Sequence, residues 1–286
     1  MGTLVIYAGT CGFSYKDWIG PFYPGTIRSQ EMLSYYASCF PAVEIDSSYY
    51  GVPTPKTVER MDRSTPPEFR FCFKAPATVT HPPDASVSRI HPDAALFVES
   101  VALIKESGKL GCVLLQFPNG FRKTEAAENY LRFAVAALQP LPLVAEFRNR
   151  EWQDTGTHRL LRDLGVGWCN VDMPRYDTLL EPSSDVTSSV GYVRFHGRNA
   201  ANWWTGTNVT RYDYDYSPEE LEPWADRVAE IEEASGTTFA FFNNHARGSA
   251  ARNAELFIGM LRARYGAGAN LVARAEGAPA QRMLFE

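Results

Sequence analysis

Acidic and imidazole side chains recur at the ends of short apolar runs in this sequence. In the run PLVAEFR, Glu146 and Arg148 lie two residues apart, so they share one face if the run is a strand. Carboxylates and imidazoles can act as general acids and bases. The candidates for this role are Glu44, Glu146 and His196. The sequence therefore predicts water-activating chemistry at these run ends.

Cationic side chains end several of the same runs, at Lys74, Arg148, Arg194 and Arg198. Guanidinium and ammonium groups pair with phosphate and carboxylate, which predicts an anionic substrate, with nucleic acid among the candidates. The side chains predicted to contact it are Lys74, Arg148, Arg194, Asp46, Tyr49, Asn243 and Asn244. Nearby aromatic residues could stack on a base or a sugar, or could pack over the top of the fold. These aromatic residues are Tyr15, Trp18, Tyr49, Tyr50, Trp152, Trp203, Trp204 and Tyr212.

A divalent metal is a candidate cofactor, but the sequence carries no clear motif for one. HEXXH is absent, and no paired histidine motif occurs. A mixed site would need folding to bring His81, His196 or His245 next to a carboxylate. Lys74 could also form a Schiff base with a carbonyl substrate, although nothing around it requires one. The cofactor is therefore left open by the sequence.

Eight short apolar runs alternate with stretches of helical periodicity. The length of these runs and their β-branched and aromatic content predict strands. The predicted strands are 4–9, 42–46, 69–74, 111–117, 142–148, 165–172, 190–197 and 238–243. The predicted helices are 29–40 with Ser29 as its cap, 54–63, 92–107, 124–138, 158–165, 217–236 and 251–266. Residues 173–189 are predicted to be loop.

Alternation of this kind predicts a parallel sheet covered by helices. Eight units predict a single-domain α/β fold, the closed (β/α)8 TIM-type barrel. The alternative is an open doubly wound sheet, which is disfavoured because no G-x-G-x-x-G segment opens a helix after the first strand. In a barrel the carboxyl ends of all strands lie at one end. The charged run ends would therefore meet in a single site.

The composition sets broader limits. Of the 286 residues 45% are hydrophobic, which supports a large core. The net charge of -5 argues against a surface coated in basic charge for nonspecific nucleic-acid binding, though not against a local basic cleft. Five cysteines without a CxxC pair predict buried thiols in a reducing cytoplasm. No apolar run approaches about 18 residues, so no membrane-spanning helix is expected.

With these residues collected, the sequence resembles the family known as domain of unknown function 72, the YecE-like proteins. The matching segments, which span residues 9 to 254, are GTCGFSYKDW, FPAVEIDSSYYGVP, FRFCFKAPATVTH, LLQFP, AEFRNREW, YVRFHG and FAFFNNHARGSAARNA. The resemblance implies a TIM-type barrel and supplies no catalysed reaction. The family pattern often has EINSTFY where this chain has EIDSSYY. Asp46 thus replaces an asparagine, and no amide-specific role carries over to it.

The composition changes again after Tyr265, which predicts a barrel over residues 1–265 and a flexible tail over residues 266–286. The tail ends in QRMLFE, which is similar to the Q-x-x-L-F peptide by which many bacterial DNA-repair and replication proteins bind the sliding clamp. In such a peptide apolar side chains fill a pocket and the glutamine fixes the register. The residues that fit are Gln281, Leu284 and Phe285. The alternative is a segment that folds back on the barrel.

Three functions are open on this reasoning. The first is a hydrolase that acts on a phosphodiester or another phosphate-bearing substrate. In it Glu44, Glu146 or His196 would activate water, and Arg148 and Arg194 would hold the phosphoryl oxygens. The second is a sugar-phosphate isomerase or lyase in the same barrel. The third is a noncatalytic binding module that the tail recruits to the sliding clamp.

Overall fold

Parallel strands form a closed barrel in the computed structural model, which describes residues 4–82 and 91–266 and the backbone of residues 269–271. The strands are β1 (Leu4–Cys11), β2 (Ala42–Ile45), β3 (Arg70–Lys74), β4 (Leu110–Gln116), β5 (Leu143–Glu146), β6 (Gly167–Asp172), β7 (Gly191–Phe195), β8 (Thr238–Phe242) and β9 (Ala269–Leu271). From β2 to β8 each strand pairs with the next in the chain. β1 pairs with both β8 and β2, which closes the ring. The prediction of a (β/α)8 barrel is therefore confirmed.

Helices pack on the outside of this ring. They are α1 (Met32–Cys39), α2 (Pro55–Arg63), α3 (Ala77–Thr80), α4 (Asp93–Glu106), α5 (Glu125–Ala137), α6 (Thr155–Leu164), α7 (Asn208–Arg211), α8 (Pro218–Ser235) and α9 (Ser249–Tyr265). The side chain of Thr124 caps α5, and Ser217 forms a capping box with Glu220 at the start of α8. Gly165 and Gly236 end α6 and α8 in the left-handed conformation. Over the described part of the chain, no helix is both long and apolar enough to cross a membrane.

Three helix starts differ from the prediction by two residues or more, and one of them is α9, which begins at Ser249 instead of residue 251. Ser29 does not cap α1, because the helix begins only after a turn closed by the backbone of Arg28 and Glu31. α6 begins earlier than predicted, because the side chain of Asp154 caps it. Residues 173–189 contain no helix, as predicted. The strand positions agree with the apolar runs throughout, so the run ends do mark one end of the barrel.

The chain turns back to the barrel after α9. β9 pairs in parallel with residues 4–6 of β1. The expected tail over residues 266–286 therefore includes a short strand at its start, and the barrel part extends at least to residue 271. The predicted clamp-binding residues lie outside the described part of the chain; they are Gln281, Leu284 and Phe285. Their role stays a prediction.

Aromatic side chains pack between the ring and its covering elements. Phe195 of β7 stacks on Phe242 of β8, with ring centroids 4.3 Å apart, and Phe257 of α9 packs edge-on against Phe195. Trp152 stacks on Phe147, directly after β5, at 4.4 Å. Because side chains alternate along a strand, the residues that precede these phenylalanines point into the barrel instead. Two of those residues, Arg194 before Phe195 and Glu146 before Phe147, are charged, and they belong to the site described below.

The cysteines are all free thiols. Cys11, Cys72, Cys112 and Cys169 are buried, and Cys39 is half-buried. The sulfur atoms of Cys72 and Cys112, on neighbouring strands, lie 3.7 Å apart. Four of the five cysteines therefore agree with the expectation of buried thiols.

Candidate functional site

The guanidinium of Arg194 lies at the centre of the site. The residue belongs to β7, and only 1% of its side chain is exposed. Nη1 donates a hydrogen bond to Oε2 of Glu146 at 2.7 Å, and Nη2 donates to Oε1 of Glu44 at 2.6 Å. β2 supplies Glu44 and β5 supplies Glu146, so three strands meet at one cation. The two carboxylates offset a charge that would be costly to bury alone.

Further groups hold both carboxylates in place. Oε2 of Glu44 accepts a hydrogen bond from the hydroxyl of Tyr192 at 2.6 Å. Oε1 of Glu146 accepts one from Nε of Arg148, two residues further along the chain. Glu146 and Arg148 thus occupy one face of an otherwise apolar segment because both belong to the same ion-pair network.

His196 packs against the same carboxylate. Its Nε2 lies 3.3 Å from Oε1 of Glu146, and its Nδ1 lies 3.0 Å from the amide nitrogen of Asn243. An amide nitrogen can only donate, so Nδ1 accepts and the ring proton sits on Nε2. Burial, with the cation of Arg148 nearby, lowers the pKa of His196 to about 3. The ring is therefore neutral at neutral pH and packs against Glu146.

The three carboxyl groups of the site titrate differently. Burial raises the pKa of Glu44 to about 7, although Arg194 opposes the rise. Burial also disfavours the charged forms of Asp46 and Glu146, but neighbouring cations outweigh burial and lower both pKa values. These cations are Lys74 and Arg194 for Asp46, and Arg148 and Arg194 for Glu146. Two carboxylates are thus charged at neutral pH, whereas Glu44 lies between its two forms.

A cavity of about 720 Å³ opens over this network at the carboxyl ends of the strands. Lys74, Arg148 and Arg194 line it together with Asp46. Nζ of Lys74 lies 3.9 Å from Oδ1 of Asp46, and 4.2 Å from the centroid of the Tyr49 ring. Sites for small molecules typically measure about 300–1,000 Å³. The cavity can therefore hold a ligand of metabolite size against three cations.

Aromatic side chains form the walls of the cavity. They are Phe13, Tyr15, Tyr49, Tyr50, Trp203, Trp204 and Tyr212. Trp18 and Trp152, also candidates from the sequence, are fully buried and pack in the core instead. Burial alone would raise the pKa of Tyr212, but the three cations of the cavity, Arg148 foremost, outweigh burial and lower it. This phenol is therefore more acidic than an ordinary tyrosine.

The predicted site residues separate into two layers. Those that line the cavity are Asp46, Tyr49, Lys74, Arg148, Arg194 and Asn243. The predicted catalytic residues Glu44, Glu146 and His196 are fully buried and are not part of the lining. They contact the arginines and each other, so the geometry gives them a supporting position and no direct contact with the cavity.

Asn244, which is a predicted ligand contact, and Arg198, which is one of the cationic run ends, lie outside the cavity lining. Nδ2 of Asn244 donates to Oδ1 of Asn253 at 2.6 Å and to the backbone carbonyl of Tyr214 at 2.9 Å. The guanidinium of Arg198 forms a two-pronged ion pair with the buried Asp172, at 2.9 and 2.7 Å. Both side chains are occupied by contacts that hold the loops together, so neither is available to a ligand in the cavity.

Tyr192, Cys11 and Arg211 are among the residues of the site that were not predicted. Tyr192 alternates with Arg194 and His196 on β7, so the period of two could have placed it on the same face. Cys11 ends β1, and its sulfur lies 3.4 Å from Nη2 of Arg194. Arg211 lines the cavity from α7, in the long connection after β7. A long connection has no hydrophobic periodicity, so the sequence does not show which of its side chains faces the site.

Cys11, Glu44 and Asp46 are near enough to one another to hold a metal ion, with ligand atoms within 4.8 Å. The sulfur and one oxygen of each acid also face Nη2 of Arg194, at 3.4, 2.6 and 3.5 Å. The guanidinium therefore fills the position that a metal ion would take. A metal ion could bind there only by displacing Arg194.

Comparison with known proteins agrees with this architecture. A family model described as "Protein of unknown function DUF72" matches residues 7–279. UPF0759 protein YunF of Bacillus subtilis (strain 168) is 30% identical over 276 residues, which cover 91% of this chain and 96% of that protein. UPF0759 protein YecE of Escherichia coli (strain K12) is 36% identical over 77 residues, 27% of this chain and 26% of that protein.

Among solved structures, a DUF72 family protein from Thermotoga maritima MSB8 is 34% identical and superposes with a TM-score of 0.82. The match covers 90% of this chain and 99% of that chain. Fold and site thus define a (β/α)8 barrel with a charged cavity at the carboxyl ends of its strands. The chain belongs to the DUF72 family, and the resemblance seen in the sequence is confirmed.

The raised pKa of Glu44 predicts a pH dependence of stability. The folded-state pKa of about 7 lies above the unfolded value, so the contribution of Glu44 is complete at low pH and is lost as the pH rises through about 7. Between about pH 5 and pH 8 the wild type should lose up to roughly 3 kcal/mol of unfolding free energy relative to Glu44→Gln. Glutamine cannot ionise; its Oε1 can accept from Arg194, and its Nε2 can donate to the hydroxyl oxygen of Tyr192, which reverses that bond. Urea denaturation across this pH range measures the difference.

Glu230→Gln, on the exposed face of α8, is the control and should follow the wild-type profile. Parallel pH profiles for the wild type and Glu44→Gln would contradict the assignment of the titration to Glu44.

Proposed function

We propose that the protein is a hydrolase that acts on a phosphodiester or another phosphate-bearing substrate held in the cavity. One arrangement supports the proposal. The cations of Lys74, Arg148 and Arg194 line a single cavity of metabolite size, beside the carboxylate of Asp46. Cations that line one cavity can bind the oxygens of a phosphoryl group, because its negative charge is spread over these oxygens.

The charge of the site favours an anionic ligand. The three cations outnumber the carboxylates of Asp46 and Glu146 while Glu44 is protonated, as its raised pKa implies below about pH 7. In the described part of the chain, Nε of Arg194 is buried and has no hydrogen-bond acceptor. A ligand oxygen at the cavity floor would give this donor a partner, and buried donors are seldom left without one.

Asp46 is the proposed water-positioning group. Its lowered pKa keeps it ionised at neutral pH. Phosphoryl transfer passes through a loose transition state, so it depends on positioning and charge stabilisation more than on a strong base. Water attacks phosphorus, its proton passes to Asp46, and the bond from phosphorus to the leaving oxygen breaks. Tyr212, with its lowered pKa, donates a proton to the leaving oxygen, and exchange with solvent restores both residues.

The buried residues act on this reaction indirectly. Glu44 and Glu146 hold Arg194, Glu146 also pairs with Arg148, and His196 packs against Glu146. Cations fixed in advance need no reorganisation when charge develops on the phosphoryl oxygens. These three residues, first considered as acids and bases, are therefore proposed as positioning residues.

Two substitutions separate the proposed roles. Asp46→Asn should lower kcat for hydrolysis of bis(p-nitrophenyl) phosphate about a hundredfold and change KM little, because it removes water positioning and no cation. Arg148→Met should raise KM at least about tenfold, because it removes a cation that contacts the substrate in its ground state. Steady-state kinetics with and without added Mg²⁺ or Mn²⁺ measures both effects. Arg162→Met, on the exposed side of α6, makes the same charge change away from the cavity.

The proposal fails if the protein hydrolyses neither this diester nor p-nitrophenyl phosphate under any of these conditions, and calorimetry detects no binding of inorganic phosphate. Interconversion or cleavage of a phosphorylated sugar without release of phosphate would select the isomerase or lyase alternative.

We further propose that the C-terminal peptide binds a sliding clamp, with Leu284 and Phe285 in an apolar pocket and Gln281 fixing the register. This assignment places the protein in the cytoplasm, where its free cysteines would stay reduced. Phe285→Ala should weaken binding to immobilised clamp at least about tenfold, because it removes an apolar anchor. Surface plasmon resonance with the full chain measures the affinity.

Arg282→Ala, at a position that the Q-x-x-L-F pattern leaves free, is the control. Equal affinities for the wild type and Phe285→Ala would exclude the peptide as a clamp ligand. Clamp binding without any hydrolysis in the kinetic assay would favour the noncatalytic module.

A further inference from the structure

Arg211 brings to the cavity a positive charge that no carboxylate of the described residues neutralises. It lies in α7, is half-buried and lines the cavity. Within residues 4–82 and 91–266 it forms no ion pair, and its Nε is buried without a hydrogen-bond acceptor. The nearby acid Asp213 pairs with Arg247 instead. The other cavity cations all have an acidic partner, so Arg211 is the one best placed to gain from an anionic ligand.

Contacts within the loop fix the position of Arg211. Nδ2 of Asn199 donates to the backbone carbonyls of Thr210 and Asp213, at 2.9 and 3.1 Å. Thr207 forms a capping box with Thr210 at the start of α7. The connection after β7 thus forms one wall of the cavity and is held in place by its own hydrogen bonds. This wall is separate from the strand ends, which carry the inner cations.

Two exposed aromatic rings line the same cavity as Arg211. Tyr50 is 76% exposed and Trp204 is 48% exposed, whereas the neighbouring Trp203 is only 3% exposed. Exposed rings beside cations are the platforms on which the bases of single-stranded nucleic acid stack. The outer part of the cavity therefore combines this cation with two exposed rings, each in a T-shaped contact with one neighbouring ring, Tyr49 for Tyr50 and Tyr176 for Trp204.

We propose that Arg211, Tyr50 and Trp204 form an outer subsite that binds the nucleotide next to the scissile phosphate of a single-stranded nucleic acid. The inference rests on the proposed hydrolase function and names its substrate class. The scissile phosphate contacts the three inner cations, the adjacent phosphate contacts Arg211, and bases stack on the exposed rings.

The free charge of Arg211 and the exposed rings favour a single strand over two other classes of substrate. These are a molecule with one phosphate and a nucleic-acid duplex. A substrate with one phosphate would engage the inner cations and leave Arg211 without a partner. In a duplex the base faces are stacked on one another and cannot reach the rings. The net charge of the whole chain is -5, so attraction of a polyanion must come from local cations such as these.

Binding of a fluorescein-labelled oligothymidylate of about eight nucleotides tests the subsite. The variants are made in the full chain carrying Asp46→Asn, so that the strand is not cleaved. Arg211→Ala should weaken binding about tenfold and reduce the slope of log affinity against log salt by about 0.7, since one phosphate contact is lost. Arg211→Lys should keep the slope. Fluorescence anisotropy at several salt concentrations measures both quantities.

Tyr50→Ala and Trp204→Ala should each weaken strand binding about tenfold without changing the salt slope, because stacking releases no counterions. Tyr50 is so exposed that its loss leaves packing intact. Arg132→Ala, on the exposed side of α5, is the charge control. None of the outer variants should change the affinity for inorganic phosphate by more than about twofold, because the inner cations remain.

Equal strand affinities and slopes for Arg211→Ala and Arg132→Ala would overturn the subsite. So would an oligothymidylate that binds no more tightly than inorganic phosphate, although the hydrolase proposal would then survive. If neither the strand nor inorganic phosphate binds, the subsite falls, and the hydrolase proposal falls with it if the wild type also hydrolyses neither nitrophenyl ester.

Discussion

A buried guanidinium governs the architecture of the site. Arginine stays protonated in proteins, so a fold that buries Arg194 must surround it with anions. Glu44 and Glu146 do this from two other strands, at 2.6 and 2.7 Å. Removal of Glu146 would leave the buried Arg148 without its carboxylate partner and Arg194 with one fewer, at a cost of roughly 3–5 kcal/mol. This single requirement joins β2, β5 and β7 and fixes a cation at the floor of the cavity.

Stability alone does not explain such a network. Buried ion pairs can often be replaced by apolar side chains of similar volume without loss of stability, so they are a poor way to stabilise a barrel. Here the network ends at a cavity, where Lys74, Arg148 and Arg194 share one hollow. Under the proposed function, the buried acids support an anion-binding surface, in which the outer layer contacts the ligand and the inner layer holds the outer one in place.

The sequence predicts the barrel and much of the inner layer because both follow from periodicity. The alternation of apolar runs and helical stretches predicts the ring of strands. Arg194 and His196 lie two residues apart at the end of β7, so the period of two of an extended chain places them on one face. Charged residues at the run ends meet because parallel strands of a barrel end together. Local hydrogen bonds such as the Asp154 cap decide helix boundaries to within a turn, and these are harder to predict.

The division of labour among these residues could not be read from the sequence. Residue type alone gave Glu44 and Glu146 a catalytic role, yet burial places them beneath the cavity. The depth of a side chain at a strand end depends on its partner across the barrel, which is far away in the chain. Arg211 was missed for a related reason, since a long connection has no period to show which side chain turns inward. Asn244 was included because it adjoins Asn243, although only Asn243 lines the cavity.

A heavy oxyanion in the cavity would test this account most directly. Crystals of the protein soaked in tungstate, a tetrahedral analogue of phosphate, can be measured at the tungsten absorption edge. We expect an anomalous peak within hydrogen-bonding distance of Lys74, Arg148 and Arg194, with Glu44 and Glu146 still bound to Arg194. A cavity without such a peak at saturating tungstate, or a peak that forms only after Arg194 has left its two carboxylates, would contradict the claim that the buried network holds a ready-made anion site.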